Sequence, residues 1–460
     1  LPVDPYHALN VNLLGFNWWI LLGTVNAFAL ETTNEYNISP AVAFTAIANP
    51  HQWSSTLLNG IPVVTNGLDR PHYWNGNSAT DFVVIPGWPA ATSCKFIVAF
   101  RFHLFALNID GPGGAFDNMI MWSDATQPGA VPTTWAAAPG NEAGSAFLAD
   151  TGGRCVAGRP LGNQLMIYKP GSFYAIEYAG QQPSNIFIVR PAVRSAGLIS
   201  PHCLQTVSDL NGVERHIIVG NDDVLINDGA VARSIADPRI KRALKNSIDE
   251  TNKLNCFTVW DRTQRELWVC VPESGSQFAN KAHVWDGGRD TWTTKDLSQV
   301  RYGTTGFFND LAPSTNWNSD TNSWNSDATI WNEQQLGTME KVATFQSNAM
   351  YEEDVPALLP VDAIIRRDDL TFQDEVQIKI TSRVHVYGAG DGLNSLQIRL
   401  GARNNTNEGI VWGSPVSILP GGTPYEVRGR LISIMIFNST NLEPWTVDRI
   451  IIEAEYDGEF

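Results

Sequence analysis

The chain has 460 residues, more than one hydrophobic core usually organises, so the length predicts two domains or one large closed β-architecture with an appendage. Charged residues make up only 17%, against 38 Gly, 26 Pro and 16 Trp, a turn-rich and aromatic-rich profile that points to β-structure rather than to helices. A formal charge of −16 argues against a basic surface that clamps nucleic acid, because phosphates are repelled rather than drawn in by counterion release.

Taken in chain order, the first apolar stretch runs from Leu13 to Leu30 and contains Trp18 and Trp19. Gly15, Asn17, Gly23, Thr24 and Asn26 interrupt it, so it is too polar to cross a bilayer, and it lacks the basic region of a signal peptide. No membrane anchor is expected. The chain starts at Leu1, which suggests a start inside a longer gene product or after processing.

Short apolar runs then recur with turn signals between them, as half-buried strands do. The clearest are Lys95 to Leu107, Gln164 to Tyr178, Arg215 to Ile226, Asn255 to Val271 and Val376 to Tyr387. Aligning their centres places Phe105, Ile167, Ile218 and Trp268 in equivalent positions, at separations of 62, 51 and 50 residues. That period suits a four-stranded propeller blade. Three tripeptides, Trp74-Asn75-Gly76, Asn227-Asp228-Gly229 and Trp285-Asp286-Gly287, read as tight type I′ hairpin turns. One blade is almost fully legible: Cys256 to Trp260, a turn, Glu266 to Cys270, Lys281 to Trp285, a second turn, and Thr291 to Thr293.

The expected fold is therefore an all-β, about six-bladed β-propeller over residues 1–345. A single short amphipathic helix is predicted from Asp237 to Asn252, where Asp237 can cap, Pro238 suits the first turn, and Ile240, Leu244 and Ile248 recur every four residues. Its Arg239, Lys241, Arg242 and Lys245 form a basic patch in an acidic chain, either a solvated face or a docking surface for an acidic neighbour or DNA. Residues 346–460 change texture, with Glu352 to Asp354 and a Pro-containing linker ahead of longer alternating strands. Those strands predict a C-terminal antiparallel β-sandwich, or strands that close the last blade and remove an exposed edge.

The most regular local pattern spans Asn316 to Asn332, where Trp317, Trp324 and Trp331 recur every seven residues, each followed by Asn. Asn, Ser, Asp and Thr at the other positions oppose a coiled coil. Stacked looped turns forming an aromatic ladder fit the composition, and flat indoles also suit docking of a protein or glycan.

No nucleophile elbow, phosphate loop or zinc helix occurs, so no catalytic residue, cofactor or metal site is assigned. His51, His72, His103, His202, His216, His283 and His385 are scattered and read as structural. Asp222-Asp223 and Asp368-Asp369 read as turn or surface acids rather than a glycosidase pair, which needs carboxylates across a cleft. The odd count of five cysteines, without a C-x-x-C pair, predicts free and mostly buried thiols. Asn37-Ile-Ser39 and Asn438-Ser-Thr440 match the glycosylation pattern, which has meaning only on a secretory route.

Several segments occur in an order that resembles the tail hub or nozzle β-propeller proteins of short-tailed, podovirus-like phages. They are Asp117 to Asp124 (DNMIMWSD), Gly162 to Lys169 (GNQLMIYK), Ser172 to Tyr178 (SFYAIEY), Ile218 to Gly229 (IVGNDDVLINDG), the Trp repeat, and Arg428-Gly429-Arg430 followed by Trp445 to Asp448. The resemblance covers roughly residues 50–455 and rests on motif order, since each motif is loose. It implies a non-enzymatic virion tail protein made in the host bacterial cytoplasm. The implied assembly is a homohexameric ring below the head-to-tail adaptor, with a central channel for DNA ejection and docking sites for tail fibres or spikes. Genomic DNA would pass without tight binding, helped by acidic walls. Trp317, Trp324, Trp331, Arg239, Lys241, Arg242, Lys245, Arg428 and Arg430 are then the candidate docking residues. A receptor- or glycan-binding propeller of the virion is the alternative, with a propeller glycosidase or sialidase behind it.

Overall fold

The computed structural model describes the chain except residues 32–33, 181–185, 195, 209–211, 309–339, 354–362, 390–392, 394, 439–444 and 458–460. The protein divides into two compact units, Leu1–Glu353 and Asp354–Phe460.

The described residues of the first unit form seven successive antiparallel sheets, each built from strands consecutive in sequence. Sheet 1 holds β1 (His7–Leu13), β2 (Phe16–Leu22), β3 (Ala27–Glu31) and β4 (Asn34–Asn37). Sheet 2 holds β5 (Ser54–Leu58), β6 (Ile61–Thr65), β7 (His72–Tyr73) and β8 (Val83–Val84). Sheet 3 holds β9 (Ser93–Phe100), β10 (His103–Gly111), β11 (Gly114–Trp122) and β12 (Gly144–Phe147), and sheet 4 holds β13 (Ala157–Leu161), β14 (Gln164–Tyr168), β15 (Phe173–Tyr178) and β16 (Phe187–Val193). In sheet 5 are β17 (Leu204–Ser208), β18 (Glu214–Val219), β19 (Val224–Asn227) and β20 (Ala232–Ser234), followed by the helix α1 (Pro238–Ser247). Sheet 6 contains β21 (Phe257–Asp261), β22 (Glu266–Val271), β23 (Ala279–Asp286) and β24 (Thr291–Val300); sheet 7 contains three described strands, β25 (Tyr302–Phe307), β26 (Glu340–Gln346) and β27 (Ala349–Glu352).

The first strands neighbour one another in order: β5 beside β9, then β13, β17, β21 and β25, with β25 beside β1. His7 Nε2 on β1 meets Ser55 Oγ on β5 at 2.8 Å, which completes the cycle. Hydrophobic layers fill the junctions between sheets, among them Trp18, Ile20, Trp53 and Trp74 between sheets 1 and 2, and Leu58, Val63, Cys94 and Ile97 between sheets 2 and 3. Trp19, Leu21, Ala343 and Phe345 join the last sheet to the first. This arrangement is propeller-like, and it has seven sheets where the sequence led us to expect about six. The additional sheet is the first, whose Trp18 and Trp19 lie on β2 and bury against different neighbours because successive strand residues face opposite ways.

The spacing argument has a direct structural counterpart: Phe105, Ile167, Ile218 and Trp268 all lie on the second strand of their sheets. The three Gly-containing tripeptides also share a place, the connection from third to fourth strand in sheets 2, 5 and 6. They are not two-residue I′ turns. Between β19 and β20 the turn closes from Asp228 to Val231, and between β23 and β24 the positive φ falls on Asp290 rather than Gly287.

α1 is shorter than its sequence pattern, ending at Ser247, because Ile248 turns extended and pairs with Glu273. Leu244 is buried, with Ile240 and Ile248 packed alongside. All five cysteines are buried free thiols; burial raises Cys94, Cys155 and Cys256 to about 12.

The second unit consists of β28 (Ala363–Leu370), β29 (Lys379–Ala389), β30 (Gln397–Arg403), β31 (Val411–Trp412), β32 (Val416–Ser417), β33 (Thr423–Pro424), β34 (Arg428–Gly429), β35 (Leu431–Asn438) and β36 (Thr446–Tyr456). One antiparallel sheet orders β28-β35-β30 with β31 and β32 beyond, and the other centres on β29. Val384 of one and Ile398, Leu400, Ile434 and Ile436 of the other bury in a common core, which makes a sandwich. The boundary lies after Glu353 rather than at 345, since β26 and β27 belong to sheet 7. β28, which carries Arg366 and Arg367, precedes the first strand expected here, Val376 to Tyr387.

Candidate docking helix and axial cluster

α1 begins where Asp237 accepts hydrogen bonds from the backbone N–H of Arg239 (2.7 Å) and Ile240 (2.9 Å), satisfying two of the orphan donors of the first turn. Its basic patch is half neutralised within the chain. Lys241 Nζ lies 2.7 Å from Asp223 Oδ2, and Lys245 Nζ lies 2.8 Å from Asp222 Oδ1. The adjacent acids read as turn residues are thus counter-ions of the helix. Arg239 and Arg242 are exposed, and neither pairs with an acid among the described residues. The surface that α1 offers is two guanidiniums rather than four cations.

Arg428 and Arg430 belong to the second unit. Arg428 pairs with Asp457, while Arg430 offers its backbone carbonyl to the buried Lys379 Nζ at 2.7 Å. The glycine between them is fixed by packing, since a Cβ on Gly429 would stand 2.7 Å from the Ala402 Cβ. The glycine of Arg428-Gly429-Arg430 therefore has a structural cause in the sandwich. Trp317, Trp324 and Trp331 lie outside the described residues.

Sequence inspection missed a polar cluster where the first strands converge. His7, His202 and Tyr302 pack ring against ring, with centroids 4.3 to 5.1 Å apart. Nearby, Arg159 on β13 donates to Gln205 Oε1 on β17 (3.0 Å), and Gln205 donates to the Thr258 carbonyl on β21 (2.6 Å). Burial holds His7 well below the ordinary imidazole range and His202 at about 4, so both stay neutral at pH 7. The cluster joins residues up to 295 positions apart, and no local motif announces it.

Two of the resembling motifs are also buried networks. Lys169 is fully buried and donates to the carbonyls of Leu148 (2.6 Å) and Thr151 (2.8 Å), with its ammonium 5.4 Å from the Tyr174 ring centre. Tyr168 bonds His216 Nδ1 at 2.8 Å and accepts from Asn227 Nδ2 at 2.9 Å, while His216 Nε2 lies 2.9 Å from the Pro160 carbonyl. The carbonyl can only accept, so Nε2 carries the proton and the Tyr168 hydroxyl donates to Nδ1. These groups fix one sheet to the next. Among the described residues no three His, Cys, Asp or Glu side chains gather as metal ligands, and no helix is long and apolar enough to cross a membrane.

No protein-family model matches the sequence, and no curated protein matches it. Among solved structures, the chain is similar to BBS1N in complex with ARL6DN, at 10% identity and a TM-score of 0.35, covering 58% of this chain and 75% of that one. It is also similar to the extracellular domain of BT4673 from B. thetaiotaomicron, at 10% identity and a TM-score of 0.34, covering 56% of this chain and 31% of that one. Likenesses at this level carry no argument about what the chain does.

Proposed function

We propose that the chain is a non-catalytic structural protein of a short phage tail, a hub or nozzle that assembles as a homohexameric ring below the head-to-tail adaptor. In this reading the ring encloses the channel for DNA ejection and presents docking sites for tail fibres or spikes. The observation that carries it is α1: two exposed guanidiniums, without an acidic partner among the described residues, on a chain of net charge −16. Such a chain repels its own copies through its overall field, and a local basic projection set against an acidic neighbour gives a directional, head-to-tail contact. Head-to-tail contacts generate rings when the rotation closes. The acidic balance also fits a passage from which DNA must slide free.

The order of the motifs between Asp117 and Asp448 supplies the phage-tail part of the proposal. Light scattering of the purified chain tests the assembly. A hexamer that falls to monomers when Arg239 and Arg242 are both changed to Glu supports the reading, and a monomer under tail-assembly conditions sinks it.

A further inference from the structure

Between sheets 5 and 6 of the first unit lies an open cavity of about 610 Å³, within the range of small-molecule sites. Its wall carries three arginines: Arg215 on β18, Arg233 on β20 and Arg265 in the turn between β21 and β22. Such a concentration runs against the composition, in which 47 acidic residues outnumber 31 basic ones. Arg233 and Arg265 form no side-chain hydrogen bond or ion pair among the described residues, so their donors face the cavity or solvent uncommitted.

The rest of the wall narrows the ligand. The indoles of Trp260 and Trp285 are buried except for a margin of about 8% each, and they give the cavity an apolar, aromatic side. Asp290 also lines it; one carboxylate oxygen accepts the Trp285 Nε1–H at 2.9 Å, which leaves the other as an acceptor. Guanidiniums bind a carboxylate through paired N–H groups, an aspartate oxygen accepts a hydroxyl, and indole covers the C–H face of a ring. A multiply charged anion would meet the carboxylates of Asp237 and Asp290 as repulsion.

We infer that this cavity is a binding site for a sugar acid, a hydroxylated ring carrying one carboxylate. The inference stands apart from the tail-hub proposal, since it needs neither a ring nor DNA. Arg233 and Arg265 hold the carboxylate, Asp290 receives a ring hydroxyl, and the two tryptophans cover the ring's apolar side.

Calorimetric titration of the full chain with D-glucuronic acid, methyl α-D-glucopyranoside and inorganic phosphate tests it. Saturable binding of glucuronic acid is expected, with the neutral glucoside weaker by tenfold or more. Arg233→Gln and Arg265→Gln should each weaken glucuronic acid by about tenfold or more, the loss that follows removal of a charge-assisted hydrogen bond. Because neither side chain has a partner among the described residues, both variants should keep the parent's urea midpoint. No saturable binding of glucuronic acid, equal affinity for the glucoside, or unchanged affinity in both arginine variants would overturn the inference. Phosphate binding as tightly as glucuronic acid would overturn it too, since the site would then read charge alone.

Discussion

Replacing Tyr168 by Phe removes one oxygen from the centre of a fully buried network. The hydroxyl donates to His216 Nδ1 (2.8 Å) and accepts from Asn227 Nδ2 (2.9 Å), and Tyr168, His216 and Asn227 are all buried to the limit of solvent contact. Asn227 Oδ1 stays bonded to the Gly229 N–H and His216 Nε2 to the Pro160 carbonyl, so neither residue can turn away to find another partner. The change therefore leaves one acceptor and one donor unsatisfied, each costing about 1–3 kcal/mol, for a total of about 2–6 kcal/mol. Urea unfolding followed by tryptophan emission should show this as a lower midpoint at unchanged slope. In a double-mutant cycle with Asn227→Ala, the two losses should sum to more than the measured double variant, because both changes break the same bond. A loss for Tyr168→Phe below about 0.5 kcal/mol, or strict additivity, would refute the claim that this network ties sheet 4 to sheet 5.

Further expectations follow from the same geometry. His7, His202 and His216 are neutral in the fold, the last two at about 4 and about 3, whereas the unfolded chain protonates near 6.5. As the pH falls below 6.5 the unfolded state takes up protons that the folded state refuses, so stability is full above 6.5 and declines toward pH 4. At pH 5 the decline amounts to about 2 kcal/mol for each of His202 and His216, readable in urea midpoints across that range. Lys169→Met should expose the segment around Leu148 to Thr151 to limited proteolysis, since two carbonyls lose the Lys169 donor. Gly429→Ala should lower the stability of the second unit by about 1–3 kcal/mol, through the clash with Ala402, and leave the transition of the first unit in place.

Much of the fold was legible because its signals are local. The hairpin from Phe257 to Val271 carries two apolar runs around a polar turn, and the second-strand residues Phe105, Ile167, Ile218 and Trp268 recur at separations of 62, 51 and 50 residues. α1 announced itself through Asp237, Pro238 and its four-residue apolar period, although the tertiary pairing of Ile248 with Glu273 cut it short. Sheet 1 escaped notice because the spacing series begins at Phe105, and because Gly15, Asn17, Gly23, Thr24 and Asn26 break the apolar stretch from Leu13 to Leu30.

Sites were less legible, for a physical reason. The axial cluster unites His7, Arg159, His202 and Tyr302 from four sheets or their approaches, and the three arginines of the cavity come from two strands and a turn. Both depend on which sheets become neighbours, a property carried by the whole core rather than by any short segment. The basic patch of α1 was visible, but its partial neutralisation by Asp222 and Asp223 depended on a turn folding beneath it.

Electron cryomicroscopy of the assembled particle tests the central claim most directly. The account predicts six copies of this chain in one ring below the adaptor, with Arg239 and Arg242 of each copy against an acidic face of the next. Absence of the chain from the tail, or its presence as threefold appendages outside the channel, would contradict it.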